Sequence, residues 1–415
     1  MRRWQQLACT AIILALCLAR FVRLGDTPAG FYLDEAAGAA TMLCIDHPRL
    51  FFEELPNTGT FFTPAYVYSG AAWTRIFGSS IAAIRAHVAL YSVLTILAVF
   101  LIARQFLGID GGLLAALAAA ISPWGFQFAR IAWDPPLAPC FTMWGIYAFL
   151  RKQPVIAGVL FAAAMYTYPP ARLHVPLLVI ALSYTTYRSQ TSYRAYLTVL
   201  VLCIPLIWLT LNGTLTSRAN ALGVWSTEAP LAYFARGLAR HLSLDFLVLR
   251  GDLNPRHGTQ MFGILSWLDL LALIGIVKAN RKLAALGAFG FLTALAVASL
   301  TWEGVPHALR SITGWPFVAL LAGAGLAALC ARWRVMPYVV LICAIAFSAT
   351  FLNVYFTTYR ASSAPHFDAV LREEAERAQK TGNWAPLRGY GEFYPREALR
   401  YYFLHYANEP CVSSK

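Results

Sequence analysis

The chain has 415 residues, 59% of them hydrophobic and only 13% charged, with a formal charge of +13 and a mean hydropathy of +0.56. Soluble domains carry about 25% charged residues, so the composition excludes a soluble globular protein and predicts an all-α polytopic membrane protein. The basic residues are scattered through loops rather than clustered, which sets nucleic acid aside and points to membrane topology plus an anionic ligand.

The apolar runs are continuous and rich in Leu and Ala, unlike the alternating segments of a membrane β-barrel. The opening "MRRWQQLACTAIILALCLAR" resembles a signal peptide. The apolar run continues through Phe21, Val22 and Leu24 without a clear A-x-A site, which predicts an uncleaved anchor. About eleven spans of membrane-crossing length follow from the pattern, at roughly 7–24, 81–103, 111–129, 135–150, 154–168, 171–187, 195–211, 260–277, 283–300, 311–330 and 335–356. Residues 25–80 form a long loop with interfacial helices expected near 34–45 and 64–77. Residues 212–259 form a second long loop, and 357–415 a small polar tail with an amphipathic helix at about 366–380. The expected domain organisation is therefore a membrane module over 1–356 and a tail over 357–415.

With the N-terminus cytoplasmic, the cytoplasmic turns carry Arg2 and Arg3, Arg104, Arg151 and Lys152, Arg188 and Arg194, Lys278, Arg281 and Lys282, then Arg332 and Arg334. That is the positive-inside pattern. It places the two long loops and the tail on the extracytoplasmic side of the cell's inner membrane. Cys9, Cys17, Cys203, Cys330 and Cys343 lie in apolar runs and read as packing residues. Cys44, Cys140 and Cys411 face an oxidising side, where a disulfide among them stays open.

The extracytoplasmic side holds the candidate chemistry. Asp34 and Glu35, in "GFYLDEAAGAA", are adjacent carboxylates in an apolar setting. Neighbours on a helix point about 100° apart, so one is expected to face a cavity and the other to hold an arginine or a cap. Acidic residues also suit a helix's first turn on their own account. Asp134, in "QFARIAWDPPLAP", precedes two prolines and reads as a third acid or as a cap, with Arg130 four residues away as a rival partner. Between residues 25 and 310 this side carries arginines and no lysine. Guanidinium is a planar fork that grips phosphate bidentately. Arg130, Arg172, Arg256 and Arg310 each sit at a membrane edge, with His174, His257 and His307 beside three of them; singly, each arginine also reads as snorkelling to headgroups. A divalent cation is compatible with the histidines, but no HxxH or HxH spacing calls for one, and no metal site is assigned. Asp269, in "SWLDLL", reads as either functional or bonded to a neighbouring helix.

Six stretches in order carry a resemblance: "GFYLDEAAGAA", "PAYVYSGAAWTRIFGSSIAAIR", "AAISPWGFQFARIAWDPPL", "MYTYPPARLHVP", "GDLNPRHGTQMFGILSWLDLLALIGI" and "GVPHALRSITGWPFVALLAGAG". They resemble integral-membrane glycosyltransferases of the GT-C class, in particular glycosyltransferase family 39. That family includes the dolichyl-phosphate-mannose protein mannosyltransferases and the aminoarabinose transferases that modify lipid A. The resemblance covers roughly residues 1–330. It implies a GT-C-like bundle and inverting transfer of a sugar from a polyprenyl-phosphate donor to a hydroxyl of a glycan, lipid or protein. It assigns Asp34 as base or acceptor-orienting group, with Glu35 and Asp134 as further acids. The basic residues would contact the donor phosphate. A transporter or flippase of a lipid-linked sugar, or a non-catalytic subunit of a glycan assembly complex, are the rival readings. Against the first, the polar clusters sit at one face and no inverted repeat is evident.

Overall fold

The structure is a computed structural model and describes residues 1–45, 47–53, 60–186 and 190–411. Arg188 of the expected basic turns lies outside the described residues. The fold is a helical bundle with one short β-ribbon among those residues. α1 (Arg3–Ala19) leads through a turn-rich segment into α2 (Leu33–Leu43). β1 (Phe52–Glu53) pairs antiparallel with β2 (Phe61–Phe62), Phe52 opposite Phe62. α3 (Pro64–Phe77) begins on a proline, whose missing N–H costs nothing at a helix start.

α4 (Ile81–Ile121) is broken at Gly108, whose φ of +69° is open to glycine and strained for other residues. The Arg20 guanidinium reaches Ser92 on one side of the break and the Ala120 carbonyl on the other, at 3.2 and 3.0 Å. The two halves therefore fold back as a hairpin, matching the two spans expected on either side of Arg104 and Asp110. α5 (Pro123–Phe128), α6 (Leu137–Leu150), α7 (Pro154–Thr167), α8 (Ala171–Thr186), α9 (Gln190–Leu202) and α10 (Ile204–Leu211) follow. Residues 193–202 and 204–211 are bent by 52° at their junction. The second long loop contains α11 (Ser217–Leu222) and α12 (Pro230–His241). α13 (Trp267–Gly275), α14 (Arg281–Ala298), α15 (Trp315–Arg332) and α16 (Met336–Val354) complete the bundle. The tail adds α17 (Arg360–Ser363), α18 (Ala369–Thr381), α19 (Ala385–Gly389) and α20 (Arg396–Tyr406).

By length and composition, four helices among the described residues suffice to cross a membrane, or five if the bent pair is one span. Several expected spans are shorter than the sequence pattern suggests. α6 and α7 have 14 residues each, and residues 261–266 of the expected 260–277 span are not helical. Asp269 consequently sits at a helix start rather than mid-span. Its carboxylate accepts from the Ser266 N–H and hydroxyl, both at 2.7 Å, and caps its own helix. Inside the bundle small residues set the spacing, as in membrane helix pairs generally. A Cβ on Gly275 would fall 2.1 Å from the Gly325 carbonyl.

The two ends of the bundle differ in chemistry. At one end Gln6 donates to Asp110 at 2.7 Å and Trp4 meets Tyr338 at 5.4 Å, alongside the basic turns around Arg104, Lys278 and Arg332. At the other end three fully buried arginines, Arg20, Arg85 and Arg130, organise residues 16–35. Every N–H of Arg85 is used. It grips both Glu35 oxygens at 2.8 Å and donates to the carbonyls of Leu24, Pro28 and Gly30 at 2.7–3.0 Å. Arg130 donates to the carbonyls of Ala19, Arg20, Val22 and Thr27 at 2.7–2.9 Å.

The tail packs on this same end. Tyr401 and Tyr402 donate to the carbonyls of Ser79 and Phe31. A disulfide joins Cys44 to Cys411 with a Cα separation of 5.5 Å, within the usual range. It settles the pairing left open by the sequence; Cys140 is buried and free.

Candidate active site

The site is built from loops that meet at the arginine-rich end. Asp34 lies in the first turn of α2 and is partly exposed. Its charge acts on Tyr32, whose phenol is pushed up to about 12, first by burial and then by Asp34. The Arg256 guanidinium sits 4.1 Å from the centre of the Tyr32 ring, a cation–π contact. Trp133 meets the Tyr32 ring edge-on at 6.0 Å. Trp133 also meets His257 at 5.9 Å.

Asp134, next in the chain, is partly exposed and electrostatically coupled to Arg172 and Tyr168. Its carbonyl accepts from the Leu137 N–H at 3.0 Å, so it forms the turn before α6 rather than the cap itself. Arg172 opens α8, donates to the Met165 carbonyl at 3.3 Å and lies over the Phe51 ring at 5.8 Å. Tyr168 couples in turn to Arg310. Arg310 donates to the Thr301 hydroxyl at 2.8 Å and the Glu303 carbonyl at 2.5 Å, and interacts with Asp252. Tyr32 thus lies between the charges of Asp34 and Arg256, and Tyr168 between those of Asp134 and Arg310, with Arg172 under the influence of Asp134.

Asp252 anchors the histidines. One of its oxygens accepts from His257 Nδ1 and from the Ala308 N–H, both at 2.7 Å. His307 Nδ1 stands 3.9 Å from the same oxygen, and the two imidazoles lie 4.6 Å apart. Burial, reinforced by His257 and Arg310, holds His307 well below the usual histidine range, so its ring is neutral near pH 7. Its Nδ1 accepts the Arg310 N–H at 3.3 Å. Asp252, His257 and His307 are a group whose ligand atoms all lie within 4.8 Å of one another.

Three expected site residues are placed elsewhere. Arg130 is buried and its two terminal nitrogens are spent on four backbone carbonyls, which turns its guanidinium toward the chain rather than a phosphate. The rival pairing of Arg130 with Asp134 is not what these contacts show. Glu35 is wholly buried, gripped by Arg85 and bonded to the N–H groups of Tyr32 and Ala132, which makes it a structural rather than a reacting acid. His174 is buried against Phe317 and bonds the Gly290 carbonyl at 2.9 Å, between α8 and α14. Sequence reasoning missed Tyr32, Asp252 and Arg85. The signal for Arg85 was present: one arginine at the start of an apolar helix, in "IAAIRAHV".

Comparison with known proteins bears on the fold. Residues 62–208 match the family model described as dolichyl-phosphate-mannose-protein mannosyltransferase. No curated protein matches the chain by sequence. The crystal structure of ArnT from Cupriavidus metallidurans in the apo state is similar, with 14% identity, a TM-score of 0.54, and 96% of this chain aligned to 75% of that one. The same protein bound to undecaprenyl phosphate gives 13% identity, a TM-score of 0.52 and the same coverage. The oligosaccharyltransferase of Archaeoglobus fulgidus in complex with Zn and sulfate aligns with 16% identity and a TM-score of 0.50, over 97% of this chain and 58% of that one. The chain is a multi-pass membrane protein with the GT-C fold of integral-membrane glycosyltransferases, and it resembles glycosyltransferase family 39 through residues 62–208.

Proposed function

We propose that this protein transfers a sugar, with inversion, from a polyprenyl-phosphate donor to an acceptor hydroxyl at the extracytoplasmic membrane face. The acceptor oxygen bonds to the anomeric carbon while the bond to the phosphate oxygen breaks. The bonding electrons leave with the lipid phosphate, and the acceptor proton passes to the Asp34 carboxylate. Arg172, Arg256 and Arg310 stabilise the phosphate as its charge grows; Asp134 orients the acceptor or Arg172. Residues 1–356 form the transferring module. The acceptor is a hydroxyl of a glycan, lipid or protein.

The observation that carries this reading is the gathering of two partly exposed acids and three arginines, from separate loops, at one end of the bundle. That end also holds the Cys44–Cys411 disulfide, which suits an oxidising exterior rather than the cytoplasm. In a panel of polyprenyl-phosphate sugars, purified protein should release the lipid phosphate from at least one donor. Asp34→Asn should lower that rate by about 10²-fold or more, the usual scale of general-base catalysis. Full activity in the variant would contradict the role given to Asp34. Sugar movement across vesicles without bond cleavage would favour a flippase.

Asp252, His257 and His307 also offer a divalent cation one oxygen and two imidazole nitrogens, all within 4.8 Å of one another. Such a donor set suits Zn²⁺. A cation there would add fixed positive charge beside Arg256 and Arg310. Calorimetric titration should show one Zn²⁺ bound, and the pair of changes His257→Ala and His307→Ala should abolish it; unchanged binding would remove this assignment.

A further inference from the structure

The tail touches the site through one residue whose role the resemblance does not supply. Asp368 has a φ of +50°, in the left-handed region uncommon for a residue other than glycine. Gly30 comes so close to the tail that a Cβ there would fall 2.2 Å from the Phe367 carbonyl. The Asp368 carboxylate then lands at the start of α2. One oxygen accepts from the Leu33 N–H at 3.0 Å, and the other from the Tyr394 hydroxyl at 3.4 Å. Leu33 immediately precedes Asp34. Asp368 is also coupled electrostatically to Arg256 and to Tyr32, the two groups stacked beside Asp34.

These contacts do more than cap a helix. A solvent-side cap would satisfy one orphan N–H and end there. Here the cap arrives from residues more than three hundred positions away in sequence. It comes on a segment fastened to the same loop by Tyr402 on Phe31, by Arg372 on Gly25 and by the disulfide at Cys44. The first turn of α2 is thereby held at its backbone from the tail, with Arg256 and Tyr32 within the electrostatic reach of the same carboxylate.

We propose that Asp368 is a positioning residue of the active site: its carboxylate holds the first turn of α2, and with it the direction of Asp34, against Arg256. The tail is then a working part of the transferase rather than an appendage. The catalytic half of this inference rests on the role proposed above for Asp34; the positioning half does not.

Two substitutions separate the effects. Asp368→Asn tolerates the left-handed backbone and keeps an oxygen for the Leu33 N–H. Asp368→Gly keeps the backbone but removes the acceptor. Hydrogen exchange of a peptide covering residues 31–43 should accelerate about tenfold or more in Asp368→Gly and stay near wild type in Asp368→Asn. With a donor that the wild type uses, Asp368→Gly should lose about 10- to 100-fold in kcat, the cost of a small misplacement. Its donor KM should stay within about twofold, because the phosphate-facing arginines are retained. Asp368→Asn should restore most of the rate. Unchanged exchange in Asp368→Gly would overturn the positioning role whether or not transfer is observed. Altered exchange with kcat unchanged would overturn the link to Asp34. A wild type that cleaves no donor would count against the proposed reaction and leave the exchange result to decide the positioning.

Discussion

Asp34 and Glu35 are neighbours with different tasks. Glu35 has no exposure and four hydrogen bonds, two of them from Arg85. Removing one partner of such a buried pair leaves the other charge unpaired, at a cost of about 3–5 kcal/mol. Glu35→Ala or Arg85→Ala should therefore sharply lower the unfolding midpoint in detergent. Replacing both with apolar residues of similar size should recover part of the loss. Single variants that melt like the wild type would show that this pair does not hold the loop. The sequence predicted a division of labour from the 100° between helical neighbours, but not which acid faced which way. That depended on Arg85, fifty positions on, and on the Ala132 N–H. Arg130 was misread for a related reason: a membrane-edge arginine looks alike in sequence whether it faces phosphate or a ring of backbone carbonyls. Asp252 and Tyr32 were missed because part of their chemistry comes from neighbours distant in sequence, the Ala308 N–H and His307 for Asp252 and Arg256 for Tyr32.

At the scale of elements, most helices were legible because apolar runs, basic turns and prolines mark them locally. The expected helix at 64–77 is α3, with its proline start. The expected hairpin on either side of Arg104 is α4, broken at Gly108. What local pattern does not carry is the docking of the tail. α20 packs along α2 through tyrosines, and a polar, charged segment gives no hydrophobic signal of its destination. The Cys44–Cys411 link is the clearest mark of that docking. Closing so long a loop restricts the unfolded chain, and disulfides of this kind contribute about 2–4 kcal/mol. Changing both cysteines to serine should lower the midpoint accordingly and expose residues 31–43 to faster exchange. A reduced wild type should behave the same way. If the double variant is as stable and as protected as the wild type, the tail is held by its side-chain contacts alone.

For the whole molecule, the distribution of charge along the chain implied a bundle with two unlike ends, and the contacts at the two ends do differ in kind. Gln6 bonds Asp110 and Trp4 meets Tyr338 at one end; at the other Arg256 lies over Tyr32, and Tyr168 feels the charges of Asp134 and Arg310. The central claim is that the second end receives a lipid-linked phosphate. A cryo-electron microscopy map of the protein in nanodiscs with undecaprenyl phosphate tests it most directly. We predict phosphate density within hydrogen-bonding reach of Arg172, Arg256 or Arg310, on the side facing Asp34 and Asp134. Density seated at the opposite end of the bundle, among the turns of Arg104, Lys278 and Arg332, would contradict the account.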